Sequence, residues 1–132
     1  MKQEKMTTKI AKYGIMIIAA VLLIAMAFAG VAASAVPTSV EPSGTGTDVD
    51  PYLINVSGHL TWMADNAGIS SGKIFKFDCS TGLIDCGGAT LNIIGNDTNK
   101  FSGIIEGNYT AISNFSISGS SNIGLFGSYT GT

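Results

Sequence analysis

Arginine is absent from this 132-residue chain, and charged residues of either sign make up only 12% of it, about half the usual share of roughly 25%. All seven cations are lysines, and four of them (Lys2, Lys5, Lys9, Lys12) fall within the first dozen positions. That distribution excludes a basic nucleic-acid-binding face on the rest of the chain. Charged disorder is excluded too, because the composition is 45% hydrophobic and glycine-rich rather than rich in Glu, Lys and Pro. Histidine occurs once, as His59, with no second His, Cys or Ser arrangement to work with it. It reads as a helix-surface or first-turn residue, not a catalytic base.

What is present first is an address. Met1 to Tyr13 is polar and lysine-rich, and Gly14 to Val36 then runs without a single charge. Its strongly apolar part, Ile15 to Phe28, has the length of a signal-peptide core. Ala33-Ser34-Ala35 before Val36-Pro37 fits an A-x-A cleavage site with the cut after Ala35. The whole uncharged stretch also exceeds the ~20 residues of a membrane-crossing helix, so an uncleaved anchor is the alternative to a secretory signal. In both cases the lysine-rich end stays in the cytoplasm and the chain beyond Pro37 is exported.

Cleavage would leave the segment 36–132, with three lysines (Lys73, Lys76, Lys100) against eight acids. Thirty-one of its residues are Ser, Thr or Asn, and 15 of the 17 glycines lie here. Hydroxyls and amides replace charges as solubilising groups. Both cysteines, Cys79 and Cys86, are in this part. Outside the cytoplasm they read as a disulfide closing a short loop over Ser80-Thr81-Gly82, with two free buried thiols as the other reading. A structural zinc needs a full set of nitrogen and sulfur ligands, and only His59 is left to add.

The order of segments is a signal peptide or membrane anchor over 1–35, a Pro/Ser/Gly/Thr linker over 36–47 and a β-rich segment over 48–132. Tyr52 to Val56 reads as a strand after the turn signal Asp50-Pro51. A short helix near 57–67 follows, capped by Ser57, with Leu60, Met63, Ala64 and Ala67 as one apolar stripe and Gly68 as its end. Beyond Lys73 come short apolar pieces separated by glycine and Ser/Asn/Thr clusters: Ile74–Phe77, Leu83-Ile84, Leu91–Ile94, Ile104-Ile105, Ile112–Ile117 and Ile123–Phe126. Gly82-Leu83-Ile84, Gly103-Ile104-Ile105 and Gly124-Leu125-Phe126 recur at intervals of 21, and in that frame Leu91 pairs with Ile112 and Ile94 with Phe115. A recurrence of that length, built of strands and tight turns, predicts a solenoid whose coils stack like residues on like.

Several of these residues also carry a family resemblance. Gly44 to Ile54 with Leu60-Thr61-Trp62-Met63-Ala64 resembles the N-terminal part of archaeal and bacterial surface proteins with GLUG-type repeats. Phe101 to Asn108, Ile112 to Ile117 and Gly124-Leu125-Phe126-Gly127 are similar to that family's core. The resemblance runs from Gly44 to the C-terminus. It implies a mainly β fold, the start of a right-handed parallel β-helix, on an adhesin-like cell-surface protein without established enzymatic activity. Glu106 stands where the family usually has Asp, Tyr109 where it usually has Gly, and the Cys79/Cys86 pair replaces an Asp-rich strand. The chain stops just after one Gly-Leu-Phe-Gly, which reads as a truncated product or a fragment of a longer array.

Three chemistries are open to these residues. Polysaccharide-cleaving β-helix enzymes use paired carboxylates, and the 21-residue frame would stack Asp85 on Glu106 about 4.8 Å apart, with Asp78 flanking the cysteine loop. Like charges so placed raise one pKa. Solvated turn residues are the plainer reading. Asp48 and Asp50, with Asp65 or Asp97, offer oxygens to calcium, but the roughly six to eight oxygens it wants are not supplied by any continuous loop. Four Asn-x-Ser/Thr sequons, at Asn55, Asn96, Asn108 and Asn114, are candidate glycosylation sites, although an inward-facing Asn114 would instead join a buried amide ladder.

The expectation is therefore a secreted or membrane-tethered surface protein, structural or adhesive, with no cofactor. Its partner would be a cell-envelope component, a glycan or another cell surface, and the N-terminal helix would touch membrane if uncleaved. A fragment of a polysaccharide-acting lyase or glycoside hydrolase is the alternative.

Overall fold

A computed structural model describes residues 34–119 and 121–131, and residues Ser34–Thr132 cluster as one compact unit. The expected leader over 1–35 lies almost wholly outside the described residues. Among those described, no helix is long and apolar enough to cross a membrane.

Five strands and one helix follow in the order β1 (Tyr52–Ile54), α1 (Ser57–Asp65), β2 (Ile74–Phe77), β3 (Leu83–Leu91), β4 (Ile104–Glu106) and β5 (Ala111–Ile117), with a 3₁₀ turn at Ala67–Ile69 after α1. The strands form two parallel sheets, one of three strands in the order β1-β2-β4 and one of two, β3-β5. The expected right-handed parallel β-helix is not what these strands make. They stop at two small sheets, with no closed solenoid coil among the described residues. The 21-residue frame fails as well. Tyr52 pairs with Phe75, Phe75 with Ile105, and Ile84 with Ile112, separations of 23, 30 and 28 positions. In a glycine-rich chain, Gly-Leu-Ile triplets recur by composition, whereas register is set by which side chains fill the core and how long the intervening loops are.

Alternation explains β2. Phe75 and Phe77 face inward while Ile74 and Lys76 are half-buried, the period-2 pattern of a strand with one buried face. In β3 the same logic buries Ile84, Cys86 and, after a bulge, Leu91. At the bulge Asp85 pairs with Ser113 and Ala89 with Phe115, so Cys86, Gly87 and Gly88 lie opposite Asn114 alone. Gly87, Gly88 and Asn114 all take positive φ there, which is open to glycine and tolerated by Asn.

Helix α1 buries Leu60, Met63 and His59 and packs against β3. Its N-cap is Val56, without a side-chain capping bond, not Ser57. The imidazole of His59 takes the neighbouring duty, accepting the Asn55 N–H on Nδ1 at 3.2 Å. The α-helix ends at Asp65, with Asn66 as C-cap, and Gly68 falls in the 3₁₀ turn.

A run of aromatic rings ties the three-stranded sheet to the C-terminal segment. Trp62 lies 5.2 Å from Tyr52, Tyr52 5.3 Å from Phe75 and Phe75 4.9 Å from Phe101. Phe101 in turn meets Phe126 at 5.6 Å and stacks on Tyr129 at 5.9 Å. Such pairs add about 0.5–1.5 kcal/mol each beyond their buried area. Ile54, Leu60, Met63, Phe75, Ile84, Leu91, Ile94 and Phe101 complete one contiguous core.

The stretch read as a linker, 36–47, is laid on this body. Val40 N–H donates to the Gly58 carbonyl at 3.1 Å, and Ser43 bridges Leu53 in antiparallel fashion. This segment covers the outer side of β1. At the other end Ile94 bridges Phe126 and Phe101 bridges Tyr129, both parallel, so 126–129 closes against the 94–101 loop without becoming a strand.

Candidate functional site

Register decides the fate of the carboxylate pair. Glu106, in β4 of the three-stranded sheet, lies opposite Lys76, while Asp85, in β3 of the other sheet, lies opposite Ser113. The two are not stacked. Asp85 Oδ1 accepts the Gly87 N–H at 2.9 Å and an amide hydrogen of Asn114 at 3.1 Å. These bonds, the Gly87 one foremost, hold its carboxyl below the usual range, opposite to the raised value a catalytic acid needs. Asp85 is a clasp on the β3 bulge. Asp78 is exposed just after β2.

Both cysteines are free; the disulfide expected between Cys79 and Cys86 is not formed. The reason is direction. Cys86 alternates with Ile84 onto the buried face of β3, and burial pushes its thiol pKa up. The Cys79 thiol instead donates to the Leu83 carbonyl at 3.0 Å and lies 3.2 Å from the Thr81 hydroxyl. Hydrogen bonds from the Thr81 hydroxyl and then its backbone lower the Cys79 pKa.

The calcium candidates are scattered among turns. Asp50 is engaged through its backbone, its carbonyl accepting the N–H groups of Thr45 and Thr47. Asp65 ends α1 and Asp97 lies in the 94–101 loop. Among the described residues, no three His, Cys, Asp or Glu side chains gather as metal ligands.

The four sequon asparagines are all exposed, in different settings. Asn96 Oδ1 accepts the N–H groups of Thr98 and Asn99 at 2.9 and 2.8 Å, an Asx turn that occupies its side chain. Asn114 is tied to Asp85 and faces outward at φ 55°, so it forms no inward ladder. Asn55 precedes α1. Asn108 and Tyr109 have φ of 43° and 55°, and the Thr110 N–H donates to the Gly107 carbonyl at 2.9 Å. That is the pattern of a type I′ turn, with the sequon at its tip.

One cleft gathers polar side chains from two distant stretches. It has a volume of about 270 Å³ and is walled by Asn92, Asn96 and Asp97 from one loop and by Ser118, Ser121 and Asn122 from the other, with Ile93 and Gly95 between. The Asx turn at Asn96 shapes the first loop. Gly95 sits at φ 77°, and any β-carbon there would collide with the Ser128 carbonyl, so only glycine lets the chain turn so tightly against 126–129. Ile93 forms an apolar patch hemmed in by Gly119, where a β-carbon would come within 2.9 Å of its Cδ1, and by Gly127. Asn122, in the left-handed region at φ 51°, turns its amide to Asp97 and donates to Oδ1 at 3.2 Å. Among the described residues the lining holds a single carboxylate and no lysine.

Sequence reasoning singles out Asp97 only as a calcium oxygen and Asn96 only as a sequon. It misses Asn92, Ser118, Ser121 and Asn122, because nothing local links two stretches so far apart along the chain. The signal available was the crowding of Asn and Ser in both stretches.

No protein-family model matches the chain, and no solved structure matches it. It is similar to a protein of Evansella cellulosilytica named "Putative Gly-rich membrane protein", at 36% identity over 97 residues. The match takes in 68% of this chain but 11% of the relative, so the chain spans about a tenth of that protein's length.

Proposed function

We propose that the chain is a non-enzymatic module of the cell surface, adhesin-like or structural, exported by its N-terminal leader and either secreted or tethered to the membrane. The observation that carries this reading is the cleft between the 92–97 and 118–122 stretches, walled by amides and hydroxyls around one carboxylate. On the Ser118–Asn122 side no charged residue is near in sequence, since no Asp, Glu, Lys or Arg follows Glu106. A surface of that kind meets an uncharged partner mostly through neutral hydrogen-bonding groups, with one carboxylate to desolvate. An envelope glycan or another cell's surface presents such groups. The likeness to a Gly-rich membrane protein and the resemblance to GLUG-type surface proteins support an envelope location.

The test is twofold. Intact cells making the full chain are treated with protease and the chain is followed by immunoblot. Separately, purified full chain is sedimented with isolated envelope polysaccharide. Cleavage from outside together with co-sedimentation is the expected result. A chain protected in intact cells and left in the supernatant would sink the reading.

A further inference from the structure

The geometry points to the cleft as a site for one neutral sugar ring, bound through adjacent hydroxyls by the Asp97–Asn122 pair. This inference deepens the surface-module reading and rests on it for the source of the ligand.

Donor and acceptor geometry come first. Asp97 and Asn122 are already held side by side, with Asn122 Nδ2 donating to Asp97 Oδ1 at 3.2 Å. That bond uses one carboxylate oxygen and one amide hydrogen. It leaves the second carboxylate oxygen as an acceptor, and the other amide hydrogen and the amide oxygen of Asn122 as donor and acceptor. A vicinal diol presents the matching alternation, since each hydroxyl donates once and accepts twice. Asn92, Ser118 and Ser121 add further groups of both kinds around the wall. Ile93 supplies the apolar element, where the C–H face of a ring can rest. Asx-turn bonds and tight glycines hold the Asn92–Asp97 side in shape before any ligand arrives, which reduces the ordering cost of binding.

Size and charge narrow the class. A volume of about 270 Å³ falls just below the roughly 300 Å³ at which drug-sized ligand sites begin, so a single ring fits and an extended chain must run out of the cleft. Among the described residues Asp97 is the only charge in the lining, with no cation there to offset a second anion. Uronic acids, sialic acids and phosphate or sulfate esters are therefore repelled, and neutral hexoses or N-acetylhexosamines are accepted.

The experiment uses the purified full chain, ¹⁵N-labelled, titrated with the methyl glycosides of glucose, galactose and mannose, with N-acetylglucosamine, and with glucuronate. At least one neutral sugar is expected to shift the signals of Asn92, Asp97 and Asn122 saturably, and glucuronate to bind at least about tenfold more weakly. Asp97→Ala should weaken the neutral sugar by about tenfold or more, as expected for losing a hydrogen bond to a charged group. Asp97→Asn keeps an acceptor but removes the charge, so it should bring glucuronate to within a few-fold of the neutral sugar. Unchanged signals from the β1-β2-β4 sheet confirm that each variant is folded. Shifts mapping elsewhere, glucuronate bound as tightly as the neutral sugars, or an unaltered Asp97→Ala titration each overturn the assignment. Retention on envelope polysaccharide that Asp97→Ala does not reduce overturns the cleft while leaving the surface-module reading in place. Sugar binding in the cleft without any retention on envelope material does the reverse.

Discussion

His59 illustrates how one side chain links backbone order to acidity. Its Nδ1 accepts the Asn55 N–H, which requires the neutral ring. Burial lowers its pKa, partly offset by a hydrogen bond with the Leu53 backbone. The unfolded chain, with an ordinary histidine near 6.5, then binds a proton that the folded chain resists. Stability is fully present above that value and falls as pH drops through it. Thermal unfolding between pH 7.5 and 5 should show a falling midpoint, and His59→Leu should flatten the slope across that window. At the β4–β5 turn, Tyr109 is fully exposed at φ 55°, so nothing offsets the roughly 1–2 kcal/mol a left-handed side chain costs. Tyr109→Gly should stabilise the fold by up to about 1 kcal/mol after the added chain entropy of glycine, read from urea denaturation.

Among the elements, the aromatic run is the most demanding. Phe101 is fully buried and touches the rings of Phe75, Phe126 and Tyr129, so it joins the three-stranded sheet to the 126–129 segment that backs the cleft. Phe101→Ala should cost about 3–5 kcal/mol, a large part of the ~5–15 kcal/mol of a typical domain, and should lower the urea midpoint accordingly. Helix α1 carries the opposite case. The Thr61 hydroxyl is buried with no hydrogen-bond partner, a desolvation cost of about 1–3 kcal/mol. Thr61→Val keeps the shape and drops the polar atom, so it should raise the thermal midpoint. The helix, β2 and β5 were legible beforehand because their apolar spacing is local. The Cys79–Cys86 segment was not, because joining Leu83 to Leu91 into one strand needs the bulge that Asn114 and two glycines make possible across the sheet.

At the scale of the whole unit, its two ends differ. The 36–47 segment covers β1, whereas β5 has a partner, β3, along one edge only. Phe115 on β5 is exposed, and β5 itself carries no charged residue or proline, two of the usual defences against pairing with another chain. Light scattering during size-exclusion chromatography should therefore show association that grows with concentration. Ser116→Lys, which places a charge on the open edge, should reduce it. A monomer at every concentration tested would refute this expectation.

Residue types alone determined what this surface is made of. An arginine-free chain with four of its seven lysines in the first dozen positions must solubilise the rest with hydroxyls and amides, and its short apolar runs beyond Lys73 are of strand length. Tertiary structure alone decided which residues meet. Pairing at separations of 23 to 30 positions, not 21, set Lys76 opposite Glu106 and Ser113 opposite Asp85, dissolving the carboxylate pair. The same packing brought Asn122 to Asp97 from a distant stretch of chain. Parallel strands are joined only through long connections, so their register depends on loop path and core filling, and no local pattern encodes either.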